Sequence, residues 1–180
     1  MIQNRQGAAI WWRRMTPDPA RDHRGDRAAL AQLRRCPSVA AAMQQPATIQ
    51  LFQLCQATEA YDLPAISLAA AVLAHVREDV SGRVAGMLGP ESSDRPETAL
   101  LKPLRFRRLL EASDVEECLP AFRRLVALMS GKANVGDLAA ALFDWPDRYR
   151  GDERKRRWVF DYWKANPQGA AAQPAEEPVA

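Results

Sequence analysis

Apolar positions along this 180-residue chain recur every three or four residues, and no segment alternates as a half-buried strand would. The first helix is predicted over residues 4–14, with Ile10, Trp11 and Trp12 as its apolar end. Thr16, Pro17 and Pro19 break it, and residues 18–26 form a polar loop. Asp26 can cap a helix over 27–35 that turns Leu30 and Leu33 inward, and Ser38 can cap another over 39–45. A helix from Pro46 to about Tyr61 carries Leu51, Leu54, Cys55 and Thr58. The next, 65–80, buries a stripe of Ile66, Ala70, Leu73 and Val76, and a further turn covers 83–88.

Residues 89–96 hold Gly, Pro, Ser and charge without an apolar anchor and read as a linker. Beyond it, Pro103 suits the first position of a helix over 104–112. Ser113 and Glu116 form a capping box for a helix over 114–129 with Val115, Leu119, Phe122, Leu125 and Met129 on one face; Pro120 is expected to kink or split it. A helix over 134–143 turns Val135, Leu138 and Leu142 inward. The last, 152–164, buries Trp158, Val159, Tyr162 and Trp163. From Asn166 onward the chain is an Ala/Pro/Gln/Glu tail without pattern, expected to be disordered. The sum is an all-α protein.

The formal net charge is only +3, but its distribution is uneven. Residues 1–46 carry eight Arg against three Asp, residues 47–100 three Arg against seven acids, and residues 101–164 fourteen Lys and Arg against ten acids. Two basic ends flank an acidic middle, so a basic surface is compatible with a modest total. Arginine strongly outnumbers lysine, which suits phosphate recognition through a planar fork of donors.

Three scattered cysteines, Cys36, Cys55 and Cys118, argue against a disulfide framework and for a reducing compartment. Residues 1–14 lack the apolar core of a secretory signal, and the apolar run 63–76 is too short to cross a bilayer. The expected location is the cytoplasm, with no membrane partner. His23 and His75 stand alone, and His75 reads as a satisfied structural histidine, so neither a metal nor another cofactor is expected. Ser130-Gly131-Lys132 ends like a phosphate-binding loop, but Val126 occupies the position of its required glycine. Gly82, Gly86 and Gly89 lack dinucleotide-binding spacing. Asp144, Asp147, Asp152 and Glu153 interleave with arginines and read as neutralised surface acids. No constellation able to run a reaction is present, so the expected protein is not an enzyme.

What stands out is arginine in pairs and rows. Arg105 and Arg108 share a helix face with Arg107 beside them; Arg123 and Arg124 lie opposite an apolar stripe; Arg34 and Arg35 end a helix. Arg154, Arg157, Asp161 and Lys164 form a row on the last helix, flanked by Lys155 and Arg156. Such rows can contact successive phosphates, and they can equally be the solvated faces of helices.

The ordered set of Trp11-Trp12, residues 26–35, Arg105-Phe106-Arg107-Arg108-Leu109-Leu110, Phe122-Arg123-Arg124-Leu125-Val126, Asp144-Trp145 and residues 158–163 resembles the small helical subunit of type I-E CRISPR interference complexes, the CasB family. The likeness runs from about residue 8 to 164. It implies two small helical bundles, here 1–95 and 96–166, followed by the tail 167–180. It also implies a non-catalytic subunit that binds nucleic acid without sequence preference. Its partners would be crRNA, target and non-target DNA, other Cascade subunits and a second copy of itself, holding the hybrid and displaced strand of an R-loop. By position the family's basic surface falls on Arg35, Arg105, Arg124 and the last-helix residues Arg150, Arg154 and Arg157. Two other readings stay open: a regulator reading duplex DNA, for which helix 134–143 follows a glycine turn but lacks base-reading side chains, and a scaffold that binds no nucleic acid. In each, Trp11, Trp12, Trp145, Trp158 and Trp163 belong to the core or to subunit contacts rather than to base stacking.

Overall fold

The computed structural model describes residues 1–164. Ten α-helices make up most of them: α1 Gly7–Met15, α2 Arg27–Arg35, α3 Val39–Met43, α4 Pro46–Leu54, α5 Leu63–Leu73, α6 Val84–Leu88, α7 Pro103–Glu111, α8 Val115–Leu128, α9 Val135–Asp144 and α10 Gly151–Tyr162. The fold is all-α apart from a two-residue parallel pair, β1 Glu78–Asp79 with β2 Lys132–Ala133, too short to leave an alternating pattern. The tail expected to be disordered lies outside the described residues.

Local chemistry starts most helices where expected. Asp26, Ser38, Asp114 and Asn134 each accept a hydrogen bond from the backbone N–H three residues on. The capping box of α8 sits one residue later than expected: Asp114 is the cap, and Glu117 reaches back to the N–H of Ser113. That frees Glu116 to accept the N–H of Val39, at 3.0 Å, at the start of α3. Pro120 does not split α8. It lies on the exposed face, where the carbonyl it leaves without an amide partner can turn to water.

Helix ends fixed by distant residues differ from expectation. α4 stops at Leu54 because the N-terminal segment takes its last carbonyls: Asn4 donates its backbone N–H to Cys55 O and its side-chain amide to Leu54 O. Gly7 makes that approach possible, since a Cβ there would lie 2.4 Å from Leu54 O. α5 stops at Leu73, and the Nε of Arg34 donates to Ala74 O at 2.6 Å just beyond it.

α5 is the axis of the molecule. The expected stripe is buried, but so is every residue from Ile66 to Leu73, as befits a helix apolar all round. It packs against α2, α3 and α4 from before the linker and against α8 and α9 from after it. The boundary expected at residues 89–96 therefore falls between elements that share one core. α6 lies on α10 as well, and so closely that a Cβ at Gly89 would come within 1.9 Å of Tyr162 O. Phe122, Trp145 and Trp158 meet edge to face, with centroids 4.9–5.7 Å apart. Trp11, Trp12 and Trp145 are buried, with their indole N–H groups on the carbonyls of Ala47, Val76 and Ala112; Trp163 is half-buried. Val159, expected inside, is exposed.

Candidate nucleic-acid interface

The C-terminal end of α2 meets the end of α5 and the middle of α8. Arg123 projects from α8 and donates to Cys36 O at 2.9 Å and Leu33 O at 3.0 Å, closing the last turn of α2. With Arg34 bound to Ala74 O, two guanidinium groups are held by main-chain carbonyls at helix ends, where the backbone dipoles favour positive charge. Arg35 and Arg124 adjoin them and are exposed. Among the described residues, none of Arg34, Arg35, Arg77, Arg123 and Arg124 has a carboxylate within ion-pair distance. The carbonyls orient Arg34 and Arg123 without cancelling their charge.

The junction registers its own positive potential. Burial first, and then the charge of Arg77, lowers the Arg34 pKa; burial lowers that of Arg123. His75 is pushed down to about 4 by burial and then by Arg123, Arg34 and Arg77, so it is neutral at pH 7. Its Nε2 is buried without a protein partner, which corrects the expectation of a satisfied histidine.

A second basic region lies where α7 crosses α10. Phe106 stacks on Tyr162 with centroids 3.9 Å apart, and the Tyr162 hydroxyl donates to Leu101 O. With Phe106 and Leu109 facing in, Arg105, Arg107 and Arg108 face out, and Arg156 and Arg157 are exposed on α10. Among the described residues these five arginines have no ion pair.

The remaining sequence-derived residues are used internally. Arg154 binds Asp144 at 2.7 Å and Arg150 binds Asp147 at 2.9 Å, with a longer 3.4 Å approach to Asp144. Arg5 completes the group with two hydrogen bonds to Asp144, at 2.8 and 2.5 Å. Asp144 is 5% exposed, so the expectation of a surface acid is corrected. Burial would raise its pKa, but hydrogen bonds from Arg5 and Arg154 outweigh that and hold it low. The Arg150 hydrogen bond draws Asp147 down to about 2. The expected row on α10 is thus broken: Arg154 turns to Asp144 and Asp161 pairs with Arg83, leaving Arg157 and Lys164. Arg77 escaped the sequence reading because it follows the apolar run with no periodic neighbour. The helix considered for base reading, α9, is buried along most of its length against α5 and α1 and cannot enter a groove. No group of metal-binding side chains gathers among the described residues, and no described helix is long and apolar enough to cross a membrane.

The sequence model of the family described as CRISPR-associated protein Cse2 matches residues 29–163, from α2 to the end of α10. The chain belongs to that family, the CasB-type small subunit of type I-E Cascade complexes. Trp11-Trp12 lies before the matched span. The crystal structure of a CRISPR-associated protein of the Cse2 family from Thermus thermophilus is similar, with a TM-score of 0.62 over 89% of this chain and 97% of that one. At 23% identity that likeness shows a shared fold. No curated protein sequence matches the chain.

Proposed function

We propose that this Cascade subunit is a non-catalytic, cytoplasmic protein that grips nucleic-acid backbones without reading sequence, stabilising the crRNA–target DNA hybrid and the displaced strand of the R-loop. One observation carries the reading: the arginines at the α2–α5–α8 junction lack carboxylate partners among the described residues, and carbonyls fix Arg34 and Arg123 there without neutralising them, so the charge of the exposed Arg35 and Arg124 beside them is available to phosphates. Arg35, Arg105, Arg108, Arg124 and Arg157 make the contacts. Arg34 and Arg123 shape the junction, while Arg150 and Arg154 hold the start of α10. Other Cascade subunits and a second copy of the chain would extend the surface along the hybrid, whose base pairing supplies all the specificity.

The test is fluorescence anisotropy on single-stranded DNA, RNA and duplex of unrelated sequences across a salt series. Equal binding to all sequences, weakening steeply with salt, is the expected result. Sequence-selective duplex binding would indicate a regulator instead, and no binding at low salt would indicate a scaffold.

A further inference from the structure

Between α6 and α10 runs an open groove of about 760 Å³, and of its lining the backbone contacts above use only Arg157. Its apolar surface comes from Phe160, 47% exposed, and Met87, 37% exposed. A large aromatic side chain left in water on a helix that buries Trp158 and Tyr162 has no role in the core.

Charge and shape narrow what could cover it. On α10, Arg156 and Arg157 precede Phe160 by about one turn, and Lys164, just past the end of the helix, lines the same groove, so cations stand on both sides of Phe160 along the chain. Arg83 adds a fourth cation but is paired with Asp161 at 3.2 Å, which leaves Glu153 as the groove's remaining acid against three cations. An acidic or polyanionic occupant with a flat apolar part fits this arrangement. The floor is kept low by Gly86, which stands inside α6, where glycine costs helix stability. Packing does not require it: a Cβ there would meet nothing nearer than Asp161 O at 3.6 Å, an ordinary contact. The absent side chain leaves open space in the groove that Phe160 also lines.

We infer that this groove is a base-stacking site: it takes one unpaired nucleobase of a single strand against Phe160 and Met87, with the flanking phosphates on Arg156, Arg157 and Lys164. The inference rests on the nucleic-acid reading above and adds to it a site that senses whether a strand is unpaired. Stacking is tolerant of base identity, so it keeps binding independent of sequence while favouring single strands over duplex.

The experiment compares the full chain with Phe160→Ala, Phe160→Trp and Gly86→Leu on single-stranded DNA and RNA, each as an ordinary strand and as one of equal length lacking its bases. The unaltered protein is expected to bind the ordinary strand about tenfold more tightly than the abasic one, within the roughly 1–3 kcal/mol that stacking one base supplies. Phe160→Ala and Gly86→Leu should erase that difference while leaving the salt slope unchanged and without lowering the melting temperature, and Phe160→Trp should keep it. A difference confined to DNA or to RNA supports the site and identifies its strand. Equal affinity for ordinary and abasic strands would overturn the stacking site and leave backbone binding standing. Failure to bind any strand would instead overturn the underlying reading. Unchanged strand binding by Phe160→Ala with altered self-association would reassign the groove to a contact between copies.

Discussion

Three arginines converge on Asp144, and another three gather at the junction of α2, α5 and α8, yet the two regions use the same side chain to opposite ends. At Asp144 the partner is a buried carboxylate, which with Asp147, the nearer partner of Arg150, offsets much of the charge of Arg5, Arg150 and Arg154 and ties the N-terminal segment to α9 and α10. At the junction Arg34 and Arg123 are held by neutral carbonyls, and Arg77 adds its charge nearby, so orientation is gained and charge is kept. Counting arginines says nothing about the surface potential; the acceptor each one finds decides it.

Removing Asp144 should break the comparison most severely. Asp144→Asn leaves Arg5 and Arg154 without their counter-charge, while Arg150 keeps Asp147, and should cost about 3 kcal/mol, a fall in Tm of roughly 10 °C. Nucleic-acid affinity of the protein still folded should change little, as calorimetry and anisotropy on one preparation would show. Arg123→Ala should act on both properties. It frees two carbonyls at the end of α2, costing about 2 kcal/mol in denaturant titration, and it weakens strand binding because Arg34 and Arg35 lose their support. Arg123→Lys should recover part of the stability only.

The sharper half of the comparison lies with exposed arginines. The double variant Arg105→Ala/Arg108→Ala should melt within about 0.5 kcal/mol of the parent yet lower the slope of log affinity against log salt by about one for each phosphate no longer gripped. An unchanged slope would remove α7 from the interface. The smallest effect concerns pH. His75 titrates near 4 when folded and near 6.5 when unfolded, so between those values the unfolded chain binds more protons. Its contribution is complete above about pH 6.5 and is lost as pH falls toward 4. His75→Gln should flatten the Tm profile across that window; a profile unchanged by the substitution would show that the junction does not depress the histidine.

Legibility in the sequence followed the range of the forces involved. α2 was readable to the residue because Asp26 caps it and Cys36-Pro37 stops it, both local effects. The ends of α4 and α5 were not, because Asn4 and Arg34 set them from across the chain. The single core shared across residues 89–96 was hidden for the same reason: a Pro- and Ser-rich connection looks alike whether the elements it joins separate or interlock. At the site, the arginine pairs were visible as residue types, but nothing local distinguishes Arg123, whose acceptors lie 87 and 90 residues away, from its neighbour Arg124. Phe160 was hidden differently, by sitting beside the buried Trp158 and Tyr162 in an aromatic-rich helix.

The central position of α5 has a consequence for the newborn chain. Its apolar surface is complete when Leu73 emerges from the ribosome, but half of its covering, α8 and α9, is not made until residue 144 has followed. At roughly 5–20 residues per second the helix waits several seconds for its partners. In that interval it is the segment a chaperone would hold, and a message truncated anywhere before α9 would release a chain bound for aggregation rather than a smaller working protein.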